Sequence, residues 1–182
     1  MQKQVYDAKG KPIEGSYEDI NGNGTVEETD FYHDKSPNPT LLLGLSSNVS
    51  YKKLSLGFTM RANLGAYNYN SVAANTGDGD ALSFANFLAN ASSSINKSGF
   101  LHNQQTSDFY IEKASFLRMD NLNLAYRFGK IGNKVDLTLS ANVQNLFVVT
   151  GYSGLDPEVF NGIDNNIYPR PRIYSLGINL GL

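Results

Sequence analysis

From Leu54 to Leu64 every second residue is apolar without a break. Leu54, Leu56, Phe58, Met60, Ala62 and Leu64 alternate with Ser55, Gly57, Thr59, Arg61 and Asn63. A period of two puts the two sets on opposite faces of an extended strand and is incompatible with a helix. Eleven residues at about 3.4 Å each, tilted about 45°, span roughly 26 Å, close to the apolar band of about 25 Å on outer-membrane barrels. This strand most constrains the fold: one face meets something greasy and the other something wet.

The same pattern recurs along the chain. In Thr40–Tyr51, Leu41, Leu43, Leu45, Val49 and Tyr51 oppose Thr40, Gly44, Ser46, Asn48 and Ser50, with Leu42 out of place. In the lower half of Asp108–Phe128, Leu122, Leu124, Tyr126 and Phe128 oppose Asn121, Asn123, Ala125 and Arg127. Higher up, Leu117 and Met119 are the apolar ones, a phase slip that predicts a bulge near Asp120. Val135–Val149 alternates again, with Asn145 the polar exception, and residues 172–182 end the series. All six prolines lie outside these strands, as ladder bonding requires.

The connections alternate too. Lys52-Lys53 and Gly129–Lys134 are short turns, whereas residues 1–39, 66–107 and 150–171 are long and polar. Outer-membrane barrels join their strands this way, with short periplasmic turns and long extracellular loops. The expected fold class is therefore all-β: an antiparallel up-and-down meander of about five long strands, a partial segment of a transmembrane β-barrel. Two regions are expected, an extracellular loop region over 1–39 and barrel strands with long external loops over 40–182. A short helix is expected over Ala81–Ala91 with Asp80 as its N-cap. A soluble antiparallel sandwich also alternates, but it rarely carries a loop of some forty residues without strong structure.

Bulk properties agree. The formal charge of −2 offers no footprint for nucleic acid. With no cysteine, a disulfide frame, thiolate zinc site or thiol nucleophile is out of reach. No apolar run approaches the roughly 20 residues of a membrane helix, and the negative mean hydropathy is what strands apolar only at alternate residues produce. Met1 is followed by no hydrophobic export segment. Five strands are also too few to close a barrel, so the chain reads as a piece of a longer one.

Longer motifs carry a family resemblance. Asn145-Leu-Phe-Val-Val-Thr-Gly-Tyr-Ser-Gly-Leu-Asp-Pro-Glu158 resembles the penultimate strand and external loop of SusC/RagA-type TonB-dependent transporters. Tyr168-Pro-Arg-Pro-Arg-Ile-Tyr-Ser-Leu-Gly-Ile-Asn-Leu-Gly-Leu182 resembles the terminal strand of that family, and Ala114–Phe128 its third-from-last strand. Asp19-Ile-Asn-Gly-Asn-Gly24 followed by Lys35-Ser-Pro-Asn-Pro39 is similar to the loop entering the last barrel section. The resemblance implies the C-terminal part of a 22-stranded barrel for energised uptake of oligosaccharides or peptides across the cell outer membrane of Bacteroidota. It also implies a SusD-like surface lipoprotein over the barrel and the TonB complex acting through a plug domain that this sequence does not contain. Leu182 departs from the family's usual terminal Phe.

Two sets of residues are candidate sites. Asp19, Asn21, Asn23, Thr25, Glu27 and Asp30 stand at positions one, three, five, seven, nine and twelve of a calcium-type loop, with Gly24 at the sharp turn. Hard oxygen ligands at that spacing suit structural Ca²⁺; the alternative is a turn whose Asx side chains bond their own backbone. Arg61, Asn63, Asn142 and Gln144 are expected to face the barrel lumen, lining a solute path, touching the plug or simply solvating a wall. Tyr51, Tyr126, Phe128, Phe147 and Tyr174 are expected in aromatic girdles.

Other polar features read blandly. His33 and His102 sit in separate loops without metal-ligand spacing, and Gly129–Lys134 is a hairpin turn rather than a phosphate loop. Asp156 and Glu158 belong to a loop motif, and no catalytic constellation stands out, so no enzyme is expected. The remaining alternative is a non-transporting cell-surface β-protein with a calcium-stabilised loop.

Overall fold

A computed structural model describes residues 1–33, 35–83, 91–132 and 135–181. Its ten strands are β1 Gln4–Tyr6, β2 Pro12–Tyr17, β3 Leu41–Tyr51, β4 Leu54–Leu64, β5 Tyr67–Asn70, β6 Ile111–Lys113, β7 Phe116–Ile131, β8 Val135–Thr150, β9 Ile163–Asp164 and β10 Ile173–Gly181. They divide between two compact units.

One unit holds residues 39–65, 115–151 and 169–182. Its sheet runs β10-β8-β7-β4-β3, antiparallel throughout, so the expected five-stranded meander is the fold. Register sorts the faces. Val49 pairs with Leu56, Leu56 with Leu124, Leu124 with Ala141 and Ala141 with Leu176, a continuous apolar row across all five strands. This face is open: Leu45 is 57% exposed, Val49 56% and Leu176 90%. A patch of that extent marks contact with lipid or protein rather than with water.

The phase slip in β7 resolves as a bulge at the expected place. Thr59 pairs with Asn121 and Met60 with Met119, so Asp120 is an extra residue against β4. Against β8, Asp120 stands opposite both Asn145 and Leu146. The extra residue flips the parity of β7 and keeps Leu117 and Met119 on the face of Leu122 and Leu124. Asn145 holds φ +53°, a left-handed conformation that Asn tolerates better than most residues. A second irregularity near Phe128 lengthens β7 to Ile131. The turn expected over Gly129–Lys134 is therefore shorter, because pairing of Lys130 with Asp136 and Ile131 with Val135 continues the ladder.

The other unit gathers residues 1–38, 66–114 and 152–168, so residues 1–38 share a unit with two later loops. It contains the β1-β2 hairpin and a small β6-β5-β9 sheet in which β9 runs parallel to β5. Among the described residues three short helices follow β5: α1 Ser71–Thr76, α2 Gly79–Ser83 and α3 Ile95–Ser98. The helix expected over Ala81–Ala91 begins earlier. Asp80 lies inside its first turn, and Asp78 caps it by accepting from the Ala81 amide at 2.9 Å; residues 84–90 lie outside the described residues. The core is aromatic. Phe100, Phe109, Tyr110 and Tyr69 stack edge to face over Ala73 and Ala74, an arrangement that adds about 0.5–1.5 kcal/mol per pair beyond burial.

Candidate functional site: a polar wall and an oxygen-rich loop

The face of the five-stranded sheet opposite the leucine rows is built from small and amide side chains. Ser46, Asn48, Gly57, Thr59, Asn121 and Asn123 line a shallow dimple of about 190 Å³. Its rows are cross-linked. Ser46 and Thr59 hydroxyls lie 3.3 Å apart, Ser50 and Ser55 3.0 Å, and Asn142 Nδ2 donates to Asn121 Oδ1 at 3.0 Å. A Cβ on Gly57 would meet Asn48 Oδ1 at 2.8 Å, so only glycine leaves Asn48 its place there. The four residues expected in a lumen, Arg61, Asn63, Asn142 and Gln144, all stand on this polar face, paired respectively with Arg118, Phe116, Asn123 and Asn121 on β7.

The upper end of the wall is charged. Arg61 and Arg118 are direct cross-strand partners, a pairing that like charges disfavour. Three neighbours offset it. Arg61 Nε donates to Asp120 Oδ2 at 2.7 Å. Buried Arg118 donates from a terminal nitrogen to Asn145 Oδ1 at 2.6 Å. The Phe116 ring lies 5.7 Å from the Arg61 guanidinium and 5.3 Å from that of Arg118, within cation–π range. Asn145 Nδ2 reaches the carbonyls of Arg170 and Pro171, both at 3.2 Å, and so fixes the approach to β10. Both bulge residues thus belong to one polar network. The sequence flagged Asp120 and Asn145 as irregular but gave no sign that two arginines meet there.

In the loop unit, the oxygen-rich segment closes on itself. Asp19 Oδ1 accepts from the Gly22 amide at 2.7 Å and from that of Asn23 at 3.3 Å, and Oδ2 accepts from Gly24 at 2.7 Å. Gly24, at φ +90°, makes the sharp turn a side chain would resist. Asn21 Oδ1 accepts from the Asn23 amide, and Asn23 Oδ1 from that of Thr25. Glu27 accepts from Asn23 Nδ2 and from the Thr29 hydroxyl. Buried Asp30 accepts from the amides of Glu27, Ile20 and Asn21. Those amides, Glu27's first, hold its carboxyl below the usual range. Among the described residues no three acidic or histidine side chains converge closely enough to hold a metal. In this form the loop is the self-bonded Asx turn, with Asp19, Glu27 and Asp30 each directed to separate partners.

A pocket of about 290 Å³ also lies in this unit, at the small end for ligand sites. Val72, Ala73, Leu155 and Ile167 supply apolar surface; Asn70, Ser153, Asp164 and Asn166 are its polar lining. The buried Tyr152 hydroxyl donates to Asp164 Oδ2 at 2.7 Å. Burial first, then that bond, pushes its phenol pKa upward, so Tyr152 stays a neutral donor. Gly154 is required here, because a Cβ would collide with both the Tyr152 ring and Asp164. Asp156 accepts from the Glu158 amide at 2.9 Å, a local turn contact. His102 is exposed beside Asp80 and His33 lies in an exposed segment.

A five-stranded antiparallel wall with one lipid-type face, one polar face and long loops joined to short turns is a segment of a transmembrane β-barrel. No protein-family model matches the chain, but individual proteins do. It is 39% identical over 188 residues to the TonB-dependent receptor SusC of Bacteroides thetaiotaomicron, covering 99% of this chain and 19% of SusC. It is 26% identical to the TonB-dependent receptor P3 of Formosa agariphila, over 90% of this chain and 18% of that receptor. Among solved structures, the RagAB peptide importer in its open-open state matches with a TM-score of 0.73 and 25% identity, over all of this chain and 22% of that one. The closed-closed state of RagAB matches with a TM-score of 0.66 and 27% identity, over 97% of this chain and 20% of that one. The chain is of the SusC/RagA type of TonB-dependent receptor. It spans about a fifth of the length of these relatives.

Proposed function

We propose that this chain forms the last strands of the barrel wall of an outer-membrane, TonB-dependent importer of nutrient oligomers, oligosaccharides or peptides. The observation that carries this reading is the two-faced sheet, with apolar rows unbroken across five strands on one side and amides, hydroxyls and arginines on the other. In the importer the apolar face meets membrane lipid. Arg61, Asn63, Asn142 and Gln144 then face the lumen, where neutral donors and acceptors suit a hydroxyl- or amide-rich solute or the surface of a plug. The long loops stand outside the cell under a SusD-like lipoprotein, and energy comes from the TonB complex acting on the plug. The edges of β3 and β10 pair with neighbouring barrel strands, as exposed strand edges must.

Deleting the gene and supplying single oligosaccharides or peptides as sole carbon source tests this reading. Growth on one class of oligomer fails and returns with the intact gene, and a surface lipoprotein copurifies with the importer. Unchanged growth and uptake on every oligomer, with no lipoprotein retained, contradicts it.

A structural calcium in the 19–30 loop is a second part of the proposal. The spacing supports it, and so does Asp19, which is already drawn toward Gly24 at the sharp turn. Asp19, Asn21, Asn23, the Thr25 carbonyl, Glu27 and Asp30 are the ligands, and Glu27 and Asp30 must exchange present partners for the ion. Calorimetry at millimolar calcium is expected to show saturable binding that D19N removes. Absence of binding leaves the loop as a self-sufficient turn.

A further inference from the structure

The Lys52-Lys53 hairpin breaks a local rule. Tyr51 pairs directly with Leu54, so the loop has two residues, and its first takes φ +54°. Two-residue hairpins normally place Gly, Asn or Asp at such positions. Here a lysine stands there, followed by a second. Departures from local preference of this kind concentrate at functional positions.

The surroundings say what the charges face. Tyr51 and Tyr126 both stand opposite Leu54 in register, one on each side, about 10 Å apart at two strand spacings. Phe128 packs edge to face on Tyr126 at 4.8 Å. All three rings are exposed, Tyr51 at 68%. Lys52 Nζ lies 5.3 Å from the Tyr51 ring centroid, and Lys53 Nζ donates to the Phe128 carbonyl at 3.0 Å. An ammonium carries three donors, and that carbonyl takes one. The Arg127 amide donates to the Lys53 carbonyl at 2.8 Å, which fastens the turn to β7. The nearby carboxylate of Asp136 is bound by Arg127.

We propose that Lys52 and Lys53, with the Tyr51, Tyr126 and Phe128 rim, form a docking site for the phosphate of an anionic glycerophospholipid in the leaflet at the short-turn end of the wall. Charge complementarity and depth carry this: aromatic rings of this kind settle at headgroup level, and lysines one residue beyond them stand at the phosphates. The site rests on the barrel-wall reading.

The full-length importer is placed in nanodiscs of phosphatidylethanolamine with phosphatidylglycerol, and retained lipid is counted by native mass spectrometry. Wild type is expected to enrich phosphatidylglycerol by about fivefold per lysine, and 0.5 M salt is expected to weaken that enrichment. The K52Q/K53Q variant retains only the bulk proportion. The K52N/K53G variant, which gives the turn its preferred residues, folds at least as well and also loses the enrichment. Equal enrichment in all three proteins overturns the proposal. Displacement by millimolar inorganic phosphate overturns the lipid assignment. Failure of wild type to enter bilayers overturns the wall reading and this proposal together.

Discussion

Asn145→Ala is the substitution that most loads the network at the upper end of the wall. It removes the acceptor of a 2.6 Å charge-assisted bond from buried Arg118, a loss of about 1.5–3 kcal/mol. It removes two 3.2 Å bonds to the Arg170 and Pro171 carbonyls, together about 1 kcal/mol. It also leaves alanine at φ +53°, about 1 kcal/mol or more beyond asparagine. The expected total is about 3.5–5 kcal/mol, a factor of at least about 10² in the folded fraction. Asn145→Gly separates the parts: it keeps the backbone and loses only the bonds, so it is expected to cost about 1 kcal/mol less than alanine. Reversible urea unfolding of the full-length importer in bilayers, followed by circular dichroism, measures both. Hydrogen exchange is expected to show the first residues of β10 loosened in both variants. An Asn145→Ala cost under about 1 kcal/mol would refute the network's role, and equal costs for the two variants would refute the backbone part.

Three further outcomes follow from the same structure. Met60→Arg puts a guanidinium on the leucine face one residue from native Arg61 and is expected to cost about 2–4 kcal/mol in bilayers, against under about 1.5 kcal/mol for Met60→Leu; equal unfolding midpoints would sink the lipid-face assignment. Tyr152→Phe strips a buried carboxylate of its 2.7 Å donor, so amides of residues 152–166 are expected to exchange faster, by the factor of about 5 to 150 that about 1–3 kcal/mol implies; unchanged exchange contradicts it. Asp30 has a depressed folded pKa, so its contribution is present above the ordinary carboxylate value and lost as pH falls through the folded one; protease cleavage within 19–30 is expected to rise on acidification in wild type but to be high already at neutral pH in D30N.

The long strands were legible because a wall between lipid and water imposes a period of two on every residue. Even the slip at Leu117 and Met119 pointed correctly to Asp120, since only an extra residue restores the face. The meeting of Arg61, Arg118 and Asn145 was not legible, because it depends on register between strands far apart in sequence. The loop unit was read only as long polar loops with one short helix and a calcium-type turn, and its small sheet was missed for the same reason. Strand β5 pairs with β9 some ninety residues later, and neither carries a pattern of its own. The N-cap fell on Asp80 rather than Asp78 because the two acids flank one glycine and only the fold decides which meets the Ala81 amide.

The central claim is that alternate residues of β4 face lipid. The chain holds no cysteine, so in an importer kept free of other cysteines, single cysteines at 54 through 64 can each carry a spin label in the membrane, and oxygen and a polar nickel complex can be compared as relaxants. The expected result is a period of two, with oxygen contact high at positions 54, 56, 58, 60, 62 and 64 and low at 55, 57, 59, 61 and 63. Uniform accessibility along the strand, or a nickel maximum at the even positions, would contradict the account.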